Sequence, residues 1–370
     1  MTKAHAPAPT HFEVRRDDWR ETRFVSPPPR EKLAPGEVRL RVDRFALTSN
    51  NISYAQVGDM LHYWAFFPTE QGWGRIPAMG FGDVAESNHP DVASGERVFG
   101  FFPMARHLVI QAVGVNPQGF SDAAAHRAET APVYRLYTGV ATDTLYDAGY
   151  EDETLLLRGL FLTSFLVDDF LADQGDFGAE TFVIASASSK TAIALAHQLS
   201  QRRAGKVVGL TSQRNRAFVA GLGYYDEVLP YGNYAPLPAA EPAVFVDHSG
   251  DGAVIEGIHG HFGEQLRHSC IVGATHWNAK PRSPDLPGPE PTFFFAPAQA
   301  QKRSQQWGPG EFQQRIAGAW AGFRNASRDW LHVVRGAGPE ALERAYREIL
   351  EGRARPDQGH VLSLAPAARD

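Results

Sequence analysis

The chain has 370 residues, of which 43% are hydrophobic and 21% charged, and its formal net charge is −6. This composition is typical of folded globular proteins and excludes extensive disorder, while a negative charge without any basic stripe argues against a nucleic-acid-binding surface. Because one hydrophobic core seldom organises so many residues, we expect two domains.

Cysteine content and hydrophobic-run length indicate the compartment. Cys270 is the only cysteine, which excludes an internal disulfide and any zinc site built on several thiolates. The first residues lack the apolar core of a signal peptide, and no run of about 18 apolar residues occurs. We therefore expect a cytoplasmic protein with no membrane partner.

The first part of the chain is typical of a small β-rich domain. Residues 35–43 alternate apolar and polar side chains after a Pro-Gly turn, and short strands are predicted at 82–86, 96–99 and 106–110. Between Met60 and Gly74 lies the aromatic segment MLHYWAFFPTEQGWG. Such a segment either covers a core or walls an apolar pocket.

From residue 154 onward the pattern changes to alternating helices and strands. A long helix is predicted from residue 154 to near Gly175, and it is followed by strands at 181–185, 206–210, 227–229, 243–247 and 269–273, with helices at 191–202, 215–221 and 254–262. This alternation predicts a doubly wound α/β domain with a parallel sheet. After a Pro-rich break at 281–291, Phe293-Phe294-Phe295 is predicted to be a buried strand, and helices at 312–323 and 339–352 precede a last strand at 360–364.

Residues 181–191, TFVIASASSKT, carry the clearest chemical signal. An apolar strand enters a tight turn of small residues at the point where a helix begins. In dinucleotide-binding βαβ units this turn is Gly-rich, so that backbone N–H groups and the helix N-terminus approach the pyrophosphate closely. Here serines and a lysine stand in the turn. It is not a Walker A motif, because the spaced glycine before Lys-Thr is missing.

The order of these segments resembles the medium-chain dehydrogenase/reductase superfamily, and it is most similar to the zinc-independent quinone oxidoreductase and enoyl reductase branch, as a divergent member. The resemblance rests on GEVRLRVDRFALTSNN, IPAMGFGDVAES with GERVFGFF, LFLTSFLVDDFL, FVIASASSKTAIALAHQL, VVGLTSQRNRAFVAGLGYYDEVLPY, AVFVDHSG and IVGATHW. It implies an α/β protein with a GroES-like β-rich catalytic domain at 1–153 and 297–370. A Rossmann-like domain with a doubly wound parallel sheet is implied at 154–296.

The resemblance also implies that no catalytic zinc is bound. Zinc-dependent members carry a cysteine at the position of Asn50 and a His-Glu pair at the positions of Phe81 and Gly82. With these ligands replaced, we expect no metal site. The remaining histidines, at 259, 261, 268 and 276, fit no standard zinc spacing.

The turn residues are the candidate pyrophosphate ligands. Hydroxyl groups and a lysine ammonium donate hydrogen bonds to phosphate, so the resemblance implies roles for Ser186, Ser188, Ser189, Lys190 and Thr191. The alternative interpretation is a turn without a ligand, in which Ser189 caps the helix and Lys190 lies in solvent.

The segment after the second strand indicates which dinucleotide is bound. An acidic residue there selects NAD by bonding the ribose 2′-hydroxyl, whereas a guanidinium suits a 2′-phosphate. This chain has Thr211, Ser212, Arg214 and Arg216, so we expect NADPH to be preferred over NADH. The alternative is that the arginines begin a solvated helix.

Three further residues occupy positions that contact the nicotinamide side of the cofactor in family members: Thr163, His248 and Gly273. Thr163 alternatively bonds its own helix backbone. His248 either titrates near neutral pH and acts as an acid or has a structural role.

Without zinc, a side chain must stabilise negative charge on the substrate oxygen and supply a proton. The resemblance places the segment TSNNISY in the loop that faces the nicotinamide, so the candidate catalytic residues are Asn50, Asn51 and Tyr54. The aromatic segment beside it supplies the candidate substrate-pocket residues, Tyr63, Trp64 and Phe67. Their alternative role is packing at a dimer or domain interface.

These residues predict a zinc-independent, NADPH-dependent reductase that transfers hydride to an activated alkene, quinone or carbonyl of a small apolar or aromatic substrate. The resemblance implies a homodimer. Two alternatives remain: a redox-inactive enzyme that uses the Ser/Lys turn for nucleophilic chemistry, and a protein that binds or senses a dinucleotide without turnover.

Overall fold

The computed structural model describes residues 10–28, 31–273 and 282–365. Contacts divide the chain into two compact units, one formed by the residues up to Leu156 together with those from His332 onward, and the other by Leu157–Leu331. The resemblance implies boundaries at 153/154 and 296/297. The second boundary differs, because residues 297–331 cluster with the Rossmann-like unit.

Strands and helices are numbered separately in chain order. The strands are β1 His11–Arg15, β2 Thr22–Val25, β3 Glu37–Leu47, β4 Trp73–Gly74, β5 Pro77–Ser87, β6 Arg97–Pro103, β7 His107–Asn116, β8 Gly119–Asp122, β9 Leu136–Gly139, β10 Thr181–Ala185, β11 Lys206–Thr211, β12 Glu227–Pro230, β13 Ala243–Asp247, β14 Leu266–Ile271, β15 Thr292–Phe293, β16 His332–Ala337 and β17 Gln358–Ser363. The helices are α1 Ser49–Gln56, α2 Glu151–Asp173, α3 Lys190–Arg202, α4 Arg216–Gly221, α5 Gly252–Phe262, α6 Ala296–Trp307, α7 Pro309–Ser327 and α8 Pro339–Leu350.

The first unit contains a closed β-barrel. Its strands follow the order β3-β5-β6-β9-β8-β7, and β7 pairs again with β3, which closes the sheet. The parallel pair β16-β17 extends this sheet beyond β3. Val38, Leu40 and Val42 alternate inward along β3 and are buried, as the alternating pattern of residues 35–43 predicts. The expected β-rich domain is confirmed.

A separate three-stranded sheet, β2-β1-β4, surrounds a buried carboxylate. Glu13 is fully buried and accepts hydrogen bonds from Arg23, Arg75 and Thr69. Burial by itself would raise the pKa of Glu13, but these three donors outweigh it and hold the pKa below its ordinary value.

The second unit is a doubly wound sheet of parallel strands in the order β12-β11-β10-β13-β14-β15. The chain runs outward from β10 to β12 on one side and then returns to β13 on the other, which creates a topological switch point beside β10. Strands β10 and β13 are buried along their whole length, as parallel strands covered on both faces must be. The expected Rossmann-like domain is confirmed.

The helices that cover this sheet begin where capping residues allow. Ser189 accepts a hydrogen bond from the N–H of Ala192 at the start of α3, and Asp251 accepts one from Ala253 at the start of α5. Helix α7 begins with Pro309 directly after Gly308, whose φ of 81° lies in the left-handed region.

Helices α6 and α7 pack against α2 within the second unit. The ring of Phe161 in α2 packs against the rings of Trp320 and Phe323 in α7, with centroids 5.3 and 5.5 Å apart. Arg303 of α6 bonds Asp169 at 2.7 Å. These apolar and charged contacts explain why the segment after residue 297 belongs to this unit.

Two sequence-based expectations about local structure are wrong. The segment TSNNISY is not a loop, because Ser49–Gln56 forms helix α1. The Phe293–Phe295 run is not a buried strand: Phe293 and Phe295 are 70% and 59% exposed, and only Phe294 packs inward, against Phe170. Alternation along an edge strand turns every second side chain outward. Within the described part of the chain, no helix combines the length and apolarity required to cross a bilayer.

Candidate functional site

The strand-to-helix turn after β10 has a left-handed backbone at its first residue. Ser186 has a φ of 55°, a conformation that favours glycine. The N–H of Ser186 donates to the hydroxyl of Tyr231 at 3.1 Å, and the N–H of Ser189 donates to the carbonyl of Ser186 at 2.7 Å. The turn thus has the tightness of a Gly-rich phosphate loop without the glycines.

Ser188 is linked to the loop that follows the second strand. Its hydroxyl oxygen accepts hydrogen bonds from the Thr211 hydroxyl at 3.3 Å and from the Asn215 amide at 3.0 Å. A hydroxyl has two acceptor sites and one hydrogen. Because both acceptor sites are used, the hydrogen of Ser188 can only be donated to a further acceptor.

Ser189 is the N-cap of α3, the role considered as its alternative in the sequence analysis. Its hydroxyl accepts from the N–H of Ala192 at 3.3 Å. Lys190 and Thr191 form the first turn and are half-buried. The carbonyl of Thr191 accepts a hydrogen bond of 2.7 Å from the hydroxyl of Ser164. This bond attaches the first turn of α3 to helix α2.

The second-strand loop presents arginines and no carboxylate. Thr211 is buried at the end of β11, Ser212 is half-buried, and a single 3₁₀ turn follows at Gln213–Asn215. Arg214 and Arg216 are exposed. The Nε of Arg216 donates to the carbonyl of Val228 at 3.1 Å, which fixes the direction of this guanidinium.

The loop after β13 is held by its own aspartate. The Asp247 carboxylate accepts hydrogen bonds from the N–H and hydroxyl of Ser249 and from the N–H of Gly250. His248 is buried, and this burial lowers its pKa to about 3. Of the two roles considered for His248, burial favours the structural one, because a desolvated ring stays neutral.

Thr163 and Gly273, the other two candidate residues for the nicotinamide side, each donate a hydrogen bond to a backbone carbonyl. The hydroxyl of Thr163 donates to the carbonyl of Gly159 at 3.4 Å, one turn earlier in α2, which is the alternative role considered for it. The N–H of Gly273 donates to the carbonyl of Asp247 at 3.4 Å. His276 lies outside the described residues.

In the first unit, Asn51 has a structural role in α1. Its side-chain oxygen accepts from the N–H of Thr48 at 2.7 Å, and its amide donates to the carbonyl of Pro77 at 2.8 Å. Asn51 is buried. Both ends of its amide are therefore occupied by protein groups, which argues against the substrate contact that the resemblance implied.

Asn50 and Tyr54 lie one turn apart on α1 and bond each other. The Asn50 amide donates to the Tyr54 hydroxyl at 2.7 Å. Burial raises the pKa of Tyr54, and the neighbouring Tyr134 raises it further. The phenol is therefore protonated at neutral pH and keeps its hydrogen for an acceptor other than Asn50.

The aromatic segment beside α1 is packed as a core. Tyr63, Phe66, Phe67 and Phe101 are buried together. The ring of Tyr63 lies 4.7 Å from that of Tyr54, and its hydroxyl is 3.2 Å from the Tyr134 hydroxyl.

Trp64, by contrast, fills the space beside two glycines. A Cβ added at Gly58 or Gly74 would lie within 2.5 Å of its indole ring. Trp64 is itself buried. All three predicted pocket residues, Tyr63, Trp64 and Phe67, are thus buried in packing contacts, which is the alternative role considered for them.

Four residues that bond candidate residues or hold their partners are not identified by the sequence pattern: Asn215, Tyr231, Tyr134 and Arg127. Asn215 lies between the two arginines that were singled out, so its polar side chain was a usable signal. Tyr231 lies 45 residues from the backbone N–H that it bonds, and Tyr134 lies 71 residues from the hydroxyl that it bonds. Nothing in local pattern identifies such partners.

The second unit meets the structural demands of a dinucleotide pyrophosphate. The turn is tight, Ser188 has a donor hydrogen to offer, and α3 is long enough to carry a helix dipole. Asp247, the nearby carboxylate, is bonded to its own loop. The fold defines a two-domain protein composed of a β-barrel unit and a Rossmann-like unit.

The chain belongs to the family described as "Protein of unknown function (DUF2855)", whose model matches residues 45–355. No curated protein matches the sequence.

Solved structures share its fold at low identity. CurA from Vibrio vulnificus in complex with NADPH is 15% identical, with a TM-score of 0.58 over 93% of this chain and 94% of that chain. A putative NADPH:quinone reductase from Mesorhizobium loti is 14% identical, with a TM-score of 0.57 over 93% and 90%. Escherichia coli YhdH with bound NADPH is 14% identical, with a TM-score of 0.55 over 96% and 99%. The expected fold class is thereby confirmed.

Proposed function

We propose that the chain is an NADPH-dependent oxidoreductase that works without zinc and reduces an activated alkene, quinone or carbonyl group of an apolar substrate. The observation that carries this proposal is the bonding of Ser188. Two side chains of the second-strand loop donate to its oxygen, so its hydrogen is left for an acceptor at the N-terminus of α3. That combination suits a pyrophosphate at the carboxyl end of the first strand.

The preference for NADPH over NADH rests on the second-strand loop. Thr211 stands at the end of β11, where an acidic residue would bond a ribose 2′-hydroxyl. Arg216 is exposed and is held by one bond from its Nε, which leaves the rest of its fork for bidentate contact with a 2′-phosphate. Solved structures of the same fold, CurA and YhdH, contain NADPH.

Tyr54 and Asn50 are proposed to act on the substrate oxygen. NADPH supplies a hydride when it is bound, and the protein must then hold an oxygen on which negative charge develops and deliver one proton. The Tyr54 phenol is protonated and its oxygen already accepts from Asn50, so its hydrogen is directed to another acceptor. Asn50 is therefore a positioning residue for Tyr54.

The test of this proposal is thermal stabilisation by dinucleotides. We expect saturating NADPH to raise the melting temperature more than NADH does, because only a ligand that binds the folded state stabilises it. Ser188→Ala removes the proposed donor and should weaken NADPH binding by about tenfold, the usual worth of one hydrogen bond to a charged group. Asn325→Ala, on α7 of the same unit, is the control. If neither dinucleotide stabilises the wild-type protein, the proposal is refuted.

Of the two alternatives, nucleophilic chemistry at Ser188 is disfavoured by its contacts. The described partners of Ser188 are a hydroxyl and an amide, neither of which is a base that activates a serine. A covalent serine probe that labels this residue would contradict the reductase proposal. Binding of NADPH without turnover on quinones, enones and aldehydes would favour the sensing alternative.

We also propose that the protein forms a homodimer through the β15 edge. Strand β15 is the last strand of its sheet, and an edge strand offers unpaired backbone groups to a second strand. Phe293 and Phe295 are 70% and 59% exposed beside it. A second copy of the same edge is the self-complementary partner that twofold symmetry requires.

A further inference from the structure

Three tyrosines form one polar cluster within the aromatic core beside α1. Tyr54 accepts from Asn50 at 2.7 Å and packs on Tyr63 with ring centroids 4.7 Å apart. Tyr63 and Tyr134 bond each other through their hydroxyls at 3.2 Å. Tyr63 is buried, whereas Tyr54 and Tyr134 are half-buried. Phenol groups from distant parts of the chain thus meet at one place.

The direction of the Tyr63–Tyr134 bond follows from burial. The Tyr63 hydroxyl is buried and Tyr134 is its only described hydrogen-bond partner, whereas Tyr134 is half-buried. A buried hydroxyl whose hydrogen finds no acceptor costs free energy. We therefore take Tyr63 as the donor and Tyr134 as the acceptor. The hydrogen of Tyr134 is then left for an acceptor outside the pair.

Two phenol hydrogens of the cluster, those of Tyr54 and Tyr134, are not donated within it. Tyr54 keeps its own because Asn50 donates to it, and Tyr134 keeps its own because Tyr63 donates to it. Both rings pack against Tyr63, with ring centroids 4.7 Å away for Tyr54 and 5.7 Å away for Tyr134. Two neighbouring phenol donors suit one oxygen on which negative charge develops.

A buried ion pair holds Tyr134 in place. Arg127 is fully buried, pairs with buried Asp122 at 3.2 Å and donates to the Tyr134 carbonyl. Its guanidinium also lies 5.2 Å from the ring centre of Phe66, a member of the same core. Supporting contacts of this kind fix a donor in one position.

We propose that Tyr54 and Tyr134 together form a two-phenol oxyanion site, and that the group it recognises is the carbonyl oxygen of a quinone or enone. This inference rests on the proposed function for the source of the hydride. It adds Tyr134 as a second donor, and it selects substrates whose reduction places negative charge on oxygen.

The test measures binding of 4-nitrophenolate, an oxyanion whose absorbance reports its ionisation, to the purified full-length protein without cofactor. We expect binding with a lowered pKa of the bound phenol. Tyr54→Phe and Tyr134→Phe each remove one donor and keep the ring, and each should weaken phenolate binding by about tenfold. Tyr146→Phe is the matched control, since its hydroxyl bonds Glu151 at 2.9 Å in the same unit, and it should leave phenolate binding unchanged.

NADPH affinity of the same variants separates this inference from the proposed function. We expect it to be unchanged in Tyr134→Phe, because Tyr134 belongs to the barrel unit. If Tyr134→Phe binds phenolate as tightly as the wild type, or if the wild type binds NADPH but no phenolate, the oxyanion site is refuted while the reductase proposal stands. If phenolate binds as expected but NADPH does not, the proposed function fails and the two-donor site stands.

Discussion

Arg216 is a surface residue whose direction is nevertheless set by a backbone contact. Its Nε bonds the carbonyl of Val228 in the edge strand β12, which holds the guanidinium at this edge of the sheet. Arg214, two residues earlier, is also exposed. A charge placed at this position distinguishes two dinucleotides that differ by one phosphate.

Replacing Arg214 and Arg216 with alanine should therefore separate the two dinucleotides. We expect NADPH affinity to fall at least tenfold, since charge-assisted hydrogen bonds to the 2′-phosphate are lost, while NADH affinity stays nearly constant. Isothermal titration with both dinucleotides measures this. Arg203→Ala, on an exposed residue at the opposite end of α3, is the control. Equal losses for the two dinucleotides would contradict the 2′-phosphate assignment.

The buried ring of His248 makes stability depend on pH. Burial lowers its pKa in the folded state to about 3, from an ordinary value of 6.5. Because the pKa is lowered in the folded state, the contribution of this ring to the free energy of unfolding is fully present above about pH 6.5. It is lost as the pH falls toward 3. One such group contributes a slope of up to about 1.4 kcal/mol per pH unit in that range.

We expect the free energy of unfolding to decrease from pH 7.5 to pH 5, and His248→Gln to decrease less steeply over the same range. Urea denaturation at several pH values gives both slopes. His62→Gln, on an exposed side chain, should retain the wild-type slope. A His248→Gln slope equal to that of the wild type would show that this ring is not the source.

At the scale of elements, α1 shows how a polar segment becomes a helix. The segment TSNNISY has little apolar periodicity, yet Asn51 completes a capping box with Thr48 and also bonds the carbonyl of Pro77 in β5. The side chain of Asn51 thus both stabilises the N-terminus of the helix and bonds it to the barrel. Asn50 and Tyr54 acquire their relative position as a consequence.

Asn51→Ala should destabilise the barrel unit by about 2 to 3 kcal/mol, because it removes a cap and leaves a buried carbonyl without its partner. Chemical denaturation measures the loss. Asn50→Ala, on a half-buried neighbour in the same helix, should cost less than about 1 kcal/mol. Equal effects of the two substitutions would argue against the structural role assigned to Asn51.

At the scale of the whole molecule, the β15 edge predicts an oligomer. We expect light scattering after size exclusion to give twice the mass of one chain. Phe293→Ser combined with Phe295→Ser removes the exposed rings and should give a monomer, because apolar burial drives such association. Val133→Ser, which alters an exposed apolar residue of the barrel unit, should remain dimeric. A monomeric wild-type protein would contradict the proposal.

The sequence predicts best the strands that are buried on both faces of the sheet. Strands 181–185 and 243–247 are predicted to the residue, because a strand buried on both faces appears as a continuous apolar run. Strands β8 and β9 and helix α6 are missed, since four-residue strands and ion-paired helices lack that signal. Helix α6 is held by Lys302 and Arg303 against aspartates of α2, contacts more than a hundred residues apart.

The features of the candidate site also fall into two groups, those that a local sequence pattern predicts and those that depend on tertiary contacts. Sequence alone determined the alternating order of the Rossmann-like sheet from β10 to β14, the Ser-rich turn and the arginines after the second strand, because these are local patterns. Only the tertiary structure decided that Asn215 bonds Ser188 and that Tyr134 bonds Tyr63. It also decided that β7 closes the barrel on β3. Hydrogen-bond partners distant in the chain are selected by how the elements pack, which no local pattern of residues records.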